Sequence, residues 1–420
     1  MLKKAKKIWQ NEFFRGSLFF TLASFLTNIL NYFFNFIAGR SLGPQGYSEI
    51  TTLFSYMSIT AVPTAVFSTF LIQKISSSED NRFVLAHSME QLLWQKIRRW
   101  WFVPLLSLSI IPFIPKITNL SVSAGTVLIP LILLSFIATF YGATMQGLKL
   151  FFLYSFISFI ATFLKLLGAI LSTRIFYKFN VIMFFIFLSV VIPLIIVFFI
   201  LRSTLRKKVG AKTLKIDRRI VSLLFNVQFL LILFSTLALT LFNNIDIIFV
   251  KKFFISTDAG IYSSWSIFAK IIFYALGPLI SISFIFFSGT KNKKSQNVAL
   301  NIALLFLIFV AIGSFIVYKN FAGLVISALF GNKFFAVAPY LSLASIFGSL
   351  YAAIAFLNGY FLAKNDKTSL ILPLLLPVYF IFLWFGEKKL LYVMNLDIFF
   401  SAVVTIFYVA VYLRSLAKKQ

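Results

Sequence analysis

Residues 18–31 read LFFTLASFLTNILN, and residues 233–246 read LFSTLALTLFNNID. Seven of the fourteen aligned positions are identical at an offset of 215, about half of the 420-residue chain. The stretch is apolar enough to enter a membrane, yet Thr21, Ser24, Asn28 and Asn31 interrupt it. Their steps of three and four residues place them along one face of a helix with 3.6 residues per turn. A helix with one polar flank, met twice, predicts a duplicated membrane bundle whose helices share something wet.

Composition supports this. The chain is 60% hydrophobic, carries 56 Phe and is only 12% charged, against roughly 45–50% apolar and 25% charged in soluble domains. Apolar runs of about 20 residues, each enough to cross ~30 Å of hydrocarbon, recur throughout. The chain is read as an integral membrane protein. The basic start MLKKAKKIWQ precedes an apolar run from about Gly16 to Ala38, too long for a signal core, so it is read as a retained first span. There is no cysteine, which excludes disulfides and Cys-ligated metals. No cofactor is expected. The net charge of +28 lies mostly in short connections, which argues for a membrane surface and against nucleic acid.

Twelve spans are expected, roughly 16–38, 47–73, 99–115, 122–146, 150–172, 177–201, 221–249, 260–287, 298–318, 335–362, 369–386 and 391–413. The third is short and holds Pro104, Pro112 and Pro115. With both termini cytoplasmic, 27 of the 39 Lys and Arg fall on that side, 10 on the other and two inside spans, as the positive-inside rule requires. Two cytoplasmic connections stand out. Residues 202–219, RSTLRKKVGAKTLKIDRR, form a basic midpoint linker; residues 82–99 space Leu85, Met89, Leu93 and Ile97 as one face of an amphipathic helix. Both suit anionic headgroups, and His87 is read as an interfacial residue of that helix.

At the same offset Tyr47 meets Tyr262, Ser48 meets Ser263, Pro63 meets Pro278 and Asn31 meets Asp246. Spans one and two therefore recur as seven and eight. Six spans separate the copies, so both enter from one side, giving a parallel repeat about an axis along the membrane normal. The predicted fold is all-α, about 12 transmembrane helices in two six-helix lobes around a central cavity, with an N-lobe of residues 1–220 and a C-lobe of residues 221–420.

Further stripes are Ser135, Thr139 and Gln146 in span four, Ser155, Ser158, Thr162 and Lys165 in span five, and Ser266, Lys270 and Tyr274 in span eight. Small and hydroxyl residues also serve helix packing. Charges inside spans are different, because each costs about 2.5–3.5 kcal/mol or more at a helix centre. Lys165, Lys270 and Asp246 are such charges, and Asp246 is read as the one intramembrane carboxylate. Either Asp246 and Lys270 form a structural ion pair, or the lysines line a water-filled cationic cavity that takes an anion such as a phosphate group. Arg15 is placed at the cytoplasmic mouth of span one, as a first contact or a positive-inside anchor. Arg40, Lys251 and Lys252 are read as snorkelling anchors.

The pattern GSLFFTLASFLTNILNYFFNFIAGRSLGPQGYS, with Arg-x-Leu-Gly-Pro-x-x-Tyr at 40–47, resembles the start of bacterial polysaccharide flippases. These belong to the multidrug/oligosaccharidyl-lipid/polysaccharide exporter superfamily. NNIDIIFVKKFF, TDAGIYS at 257–263, LFGNKFFAVAPYL at 329–341 and the Leu-Ala-Lys-Asn after span ten are similar to the same family. The resemblance implies a cytoplasmic-membrane flippase, in bacteria, that moves a polyprenyl-pyrophosphate-linked oligosaccharide to the outer leaflet by alternating access. It implies an H+ or Na+ coupling ion, and other polysaccharide-assembly proteins as partners. Carried over, Asn28, Asn31, Lys165, Lys270, Arg15 and Gln146 become cavity residues, and Asp246 an ion-coupling residue. Span eleven, TSLILPLLLPVYFIFLWFG, departs from the pattern in being nearly devoid of polar groups. The competing readings are a cation-coupled multidrug exporter of the same superfamily and an integral-membrane polysaccharide polymerase or ligase. The last would want acid–base or nucleophilic groups on a sizeable outer loop, which the short outer connections do not offer.

Overall fold

The computed structural model describes residues 12–78, 81–209, 227–289 and 293–417. All regular structure among them is helical. In chain order the α-helices are α1 Glu12–Ser77, α2 Arg82–Arg99, α3 Phe102–Leu108, α4 Ile114–Thr118, α5 Val122–Gly147, α6 Phe151–Ser172 and α7 Lys178–Val209. Then follow α8 Val227–Phe242, α9 Ile245–Phe253, α10 Ser256–Gly289, α11 Lys293–Asn320, α12 Ala322–Leu329, α13 Leu341–Ala363, α14 Ile371–Phe385 and α15 Leu390–Ala417. Ten helical segments are long and apolar enough to cross a membrane, or eleven if α2 and the Phe102–Thr118 segment, bent by 60°, count as one. The first of the ten, α1, is kinked at Gly43. The chain is a multi-pass membrane protein.

Gly43 explains that kink. Its φ of 70° and ψ of −176° lie where only glycine sits without strain, and the following Pro44 cannot donate a backbone hydrogen bond. The third span breaks for a similar reason: Pro112 and Pro115 interrupt the ladder, and residues Ile111–Phe113 tighten to a 3-10 turn. The amphipathic helix expected over 82–99 forms as α2, with Leu85 and Met89 in a core with Leu71, Ile75, Tyr141, Leu201 and Leu205. His87 of this helix is buried against its neighbours, its Nε2 3.0 Å from Gln91 Nε2.

The structure divides into two compact units. One comprises Met1–Leu42 and Pro63–Leu224, the other Gly43–Val62 and Phe225–Gln420. The expected N-lobe of residues 1–220 thus gives up 43–62, which pack with the second unit. The packing shows why. Tyr47 is fully buried against Phe330 and Phe334, at centroid distances of 5.3 and 5.9 Å. A Cβ on Gly260 would lie 2.0 Å from the Pro44 carbonyl oxygen, so backbone meets backbone there. Thr51 Oγ1 donates to Ser263 Oγ at 2.8 Å. The Gly-Pro-x-x-Tyr, Asp-Ala-Gly-Ile-Tyr-Ser and Leu-Phe-Gly-Asn-Lys-Phe-Phe sequences therefore converge as packing elements of one unit.

Lys251 also differs from its expected role. It is 2% exposed, with Nζ 2.6 Å from Glu49 Oε1 and 3.1 Å from Ser48 Oγ. It closes a buried ion pair and does not snorkel. Arg40 is exposed and Lys252 half-buried.

Candidate functional site

Each unit carries a polar constellation inside its spanning helices, half-buried in the first unit. There, Thr27, Asn31 and Asn35 of α1 bond back along the helix. Thr27 Oγ1 donates to Ala23 O at 2.8 Å, Asn31 Nδ2 to Thr27 O at 3.1 Å and Asn35 Nδ2 to Asn31 O at 2.8 Å. Such back-bonding uses carbonyls four residues earlier and costs the helix little. It also orients the Asn31 amide. With Nδ2 tied to the backbone, Oδ1 is left to accept from Lys165 Nζ of α6 at 2.7 Å. The ammonium lies 5.8 Å from the centre of the Phe34 ring, a favourable cation–π distance.

The second unit repeats the device. The helix of span seven breaks at Asn243 and Asn244, between α8 and α9. Asn244 Nδ2 donates to Thr240 O at 2.8 Å, and its Oδ1 accepts from Lys270 Nζ of α10 at 3.1 Å. In both units a Thr-x-x-x-Asn pair thus holds a lysine from another helix. A broken helix at membrane depth is tolerated only where protein re-satisfies its backbone, and the Asn244 side chain and the Tyr351 hydroxyl, 3.0 Å from Leu239 O, do so.

Asp246 occupies the first turn of α9, where the helix dipole favours negative charge. Among the described residues Lys270 does not come within ion-pair distance of it; the expected Asp246–Lys270 pair is replaced by separate partners. Tyr262 Oη lies 2.6 Å from Asp246 Oδ2 and 2.6 Å from Asp397 Oδ2, and Tyr379 Oη donates to Asp397 Oδ1 at 2.6 Å. All four residues are 0% exposed. One phenol carries one O–H and donates to one acceptor at a time, so Tyr262 joins Asp246 and Asp397 into a single hydrogen-bonded unit.

Asp397 corrects the sequence reading, which took Asp246 as the one carboxylate within spans. It lies in the last apolar run and the same criterion of charge inside a span finds it. Span eleven, read as nearly without polar groups, contributes the buried hydroxyl of Tyr379 to this cluster.

The other expected site residues scatter. Gln146 lines a cavity of about 360 Å³ within the first unit, with Ser135, Thr139, Ser158, Tyr154 and Ser189. The stripes of spans four and five do meet there, although Ser155 and Thr162 of the same stripe are buried at 4% and 3% exposure and serve packing. Neither Lys165 nor Asn31 lines this cavity. Asn28 is exposed. Arg15 falls in the first turns of α1, and its side chain lies outside the described residues. Among the described residues no group of three or more His, Cys, Asp or Glu side chains is placed to hold a metal.

No protein-family model matches the chain, and no curated protein matches it significantly. Solved structures do. An inward-facing multidrug resistance MATE family transporter of the MOP superfamily superposes with a TM-score of 0.71 at 15% identity, covering 93% of this chain and 95% of the other. The lipid II flippase MurJ, in an inward closed conformation, gives 0.63 at 16% identity over 94% and 87%. An outward-facing MATE family transporter gives 0.63 at 15% over 96% and 95%. At these identities the likeness establishes the fold, which is that of the MATE and MurJ transporters.

Proposed function

We propose that this chain is a transporter that flips a polyprenyl-pyrophosphate-linked oligosaccharide across the bacterial cytoplasmic membrane by alternating access. The observation that carries the reading is the recurrence, once in each unit, of an intramembrane ammonium held on an asparagine whose amide is tied to a threonine carbonyl. A lysine presents three donors and a compact charge, and an anchored one meets a phosphate without further ordering cost. Lys165, half-buried, is the contact for the anionic headgroup. Lys270 is 7% exposed and sits on Asn244, two residues from Asp246. Its role is to balance the acidic cluster. Asp246, Tyr262 and Asp397 form the coupling element: a proton or Na+ that enters or leaves this cluster changes its charge and biases one transport state. A ligand shifts such an equilibrium only by its differential affinity for the two states.

That same cluster, with the likeness to MATE transporters, favours a second reading, a cation-coupled multidrug exporter. Reconstituted vesicles separate the two. The flippase reading expects protein-dependent transfer of a fluorescent polyprenyl-pyrophosphate oligosaccharide, lost in Lys165→Ala. Efflux of cationic dyes without lipid-linked sugar transfer would replace it with the exporter. Glycosyltransferase genes beside the coding sequence would favour the flippase, and a drug-responsive regulator the exporter.

A further inference from the structure

A cavity that the transport reading does not use lies in the first unit, between α2 and the far end of α7. It is about 540 Å³ and is lined by His87, Glu90, Gln91, Trp94, Gln95, Arg98, Arg202 and Arg206. Three guanidinium groups face one carboxylate, and that carboxylate is engaged. Glu90 is 3% exposed, its Oε1 accepts from Tyr141 Oη at 3.0 Å, and its Oε2 is 3.8 Å from His87 Nδ1. Among the described residues none of the three arginines makes an ion pair. The lining therefore holds an excess of positive charge.

The floor is built, not merely basic. Trp94 Nε1 donates to Tyr141 Oη at 3.1 Å, and the indole packs edge-on against Phe198 at 5.6 Å. The Arg202 guanidinium lies 5.1 Å from the Phe198 ring centre. Stacked so, its N–H edge is fixed for a bidentate anion. Arg98 and Arg206 are exposed and complete the rim. Gln91 and Gln95 add donors and acceptors suited to hydroxyl groups.

The site also sits at a membrane surface. Trp100 and Trp101, 52% and 62% exposed, follow α2 where the chain bends by 60° into the Phe102–Thr118 segment, and exposed tryptophans mark the headgroup level. The last turn of α7 holds Arg206, Lys207 and Lys208, the side assigned to the cytoplasm by the charge bias. We propose that this pocket is a binding site for a phosphate-bearing anion, the headgroup of an anionic phospholipid of the cytoplasmic leaflet. A bound headgroup bridges α2 to α7 at the root of the basic linker 202–219, so transport activity becomes dependent on the lipid.

The test must separate a built site from the general pull of a basic face. The full chain is purified in detergent, and bound phosphatidylglycerol and phosphatidylcholine are counted by native mass spectrometry. The pocket variant is Arg98→Gln, Arg202→Gln, Arg206→Gln. The control, of equal charge change, is Lys96→Gln, Arg99→Gln, Lys207→Gln, exposed positions that do not line the cavity. Phosphatidylglycerol affinity is expected to fall roughly tenfold or more in the pocket variant, as lost charge-assisted bonds imply, and less than about twofold in the control, with phosphatidylcholine unaffected in both. Arg202→Gln alone, which keeps the rim, is expected to show a partial loss and serves if the triple variant folds poorly. A second arm adds soluble glycerol phosphate. Indifference to it supports the lipid as source, and displacement of the lipid at submillimolar concentration supports the same site with a soluble phosphate ester as its ligand. Equal losses in pocket and control variants, or no loss in the pocket variants, overturn the proposal.

Discussion

Asp246 and Asp397 meet on a single phenol: Tyr262 Oη stands 2.6 Å from a carboxyl oxygen of each, with Tyr379 closing the far side of Asp397. The two acids come from the first turn of α9, just past the break in its span, and from α15. A single phenol set between two carboxyl groups ties the three side chains into one unit.

Tyr262→Phe removes the bridge and leaves both acids. Buried polar groups without partners cost about 1–3 kcal/mol each, so the melting temperature is expected to drop by several degrees. Asp246→Asn combined with Tyr262→Phe should cost less than the sum of the single changes, because the residues act as one unit. Additivity within a few tenths of a kcal/mol would show them independent.

Asn31 anchors Lys165. Asn31→Ala is expected to reduce substrate transfer in vesicles partially, since the ammonium keeps its charge and loses its place; Lys165→Ala should abolish it, and the double variant should behave as Lys165→Ala does. Protein level in the membrane, measured alongside, must stay near wild type. An Asn31→Ala protein that transports at the wild-type rate would remove the anchor from the mechanism.

Gly260→Ala tests the convergence of the sequence motifs. Its Cβ would stand 2.0 Å from the Pro44 carbonyl oxygen, and backbone cannot yield as a side chain can. Overpacking of this kind costs roughly 1–3 kcal/mol or more, so expression of folded protein, read by size-exclusion of the detergent-solubilised chain, should fall sharply. Gly43→Ala should cost about 1–3 kcal/mol through backbone strain rather than overlap, because its φ of 70° and ψ of −176° lie in a region that is essentially glycine's alone.

Lys251 and Glu49 should be tested as a pair. Lys251→Met strands a largely buried carboxylate and is expected to destabilise by about 3–5 kcal/mol. Lys251→Met with Glu49→Gln should recover most of it, as read by thermal unfolding. No recovery would mean that Lys251 contributes mainly through other contacts.

The sequence by itself settled what depends on composition and period. Long apolar runs have one stable solution in a membrane, the helix, because backbone groups find no water there, so the spans, their basic flanks and the amphipathic α2 were readable from residue types alone. The duplication was equally legible, since Asn, Tyr and Pro repeat at a fixed offset where Leu and Phe matches carry little weight. The T-x-x-x-N steps at 27–31 and 240–244 were also in plain view, as was Asp397.

Only the tertiary structure decided which groups pair. Lys270 is drawn to Asn244 and not to Asp246, Lys251 turns inward to Glu49, residues 43–62 join the second unit, and Tyr379, a hydroxyl in a greasy span, completes the acid cluster. Each outcome depends on a residue far away in the chain and on distances of about 3 Å. Hydrogen bonds and ion pairs inside a low-dielectric bundle are short-ranged and all-or-none, and a one-dimensional pattern of charges does not record which of several partners lies within reach.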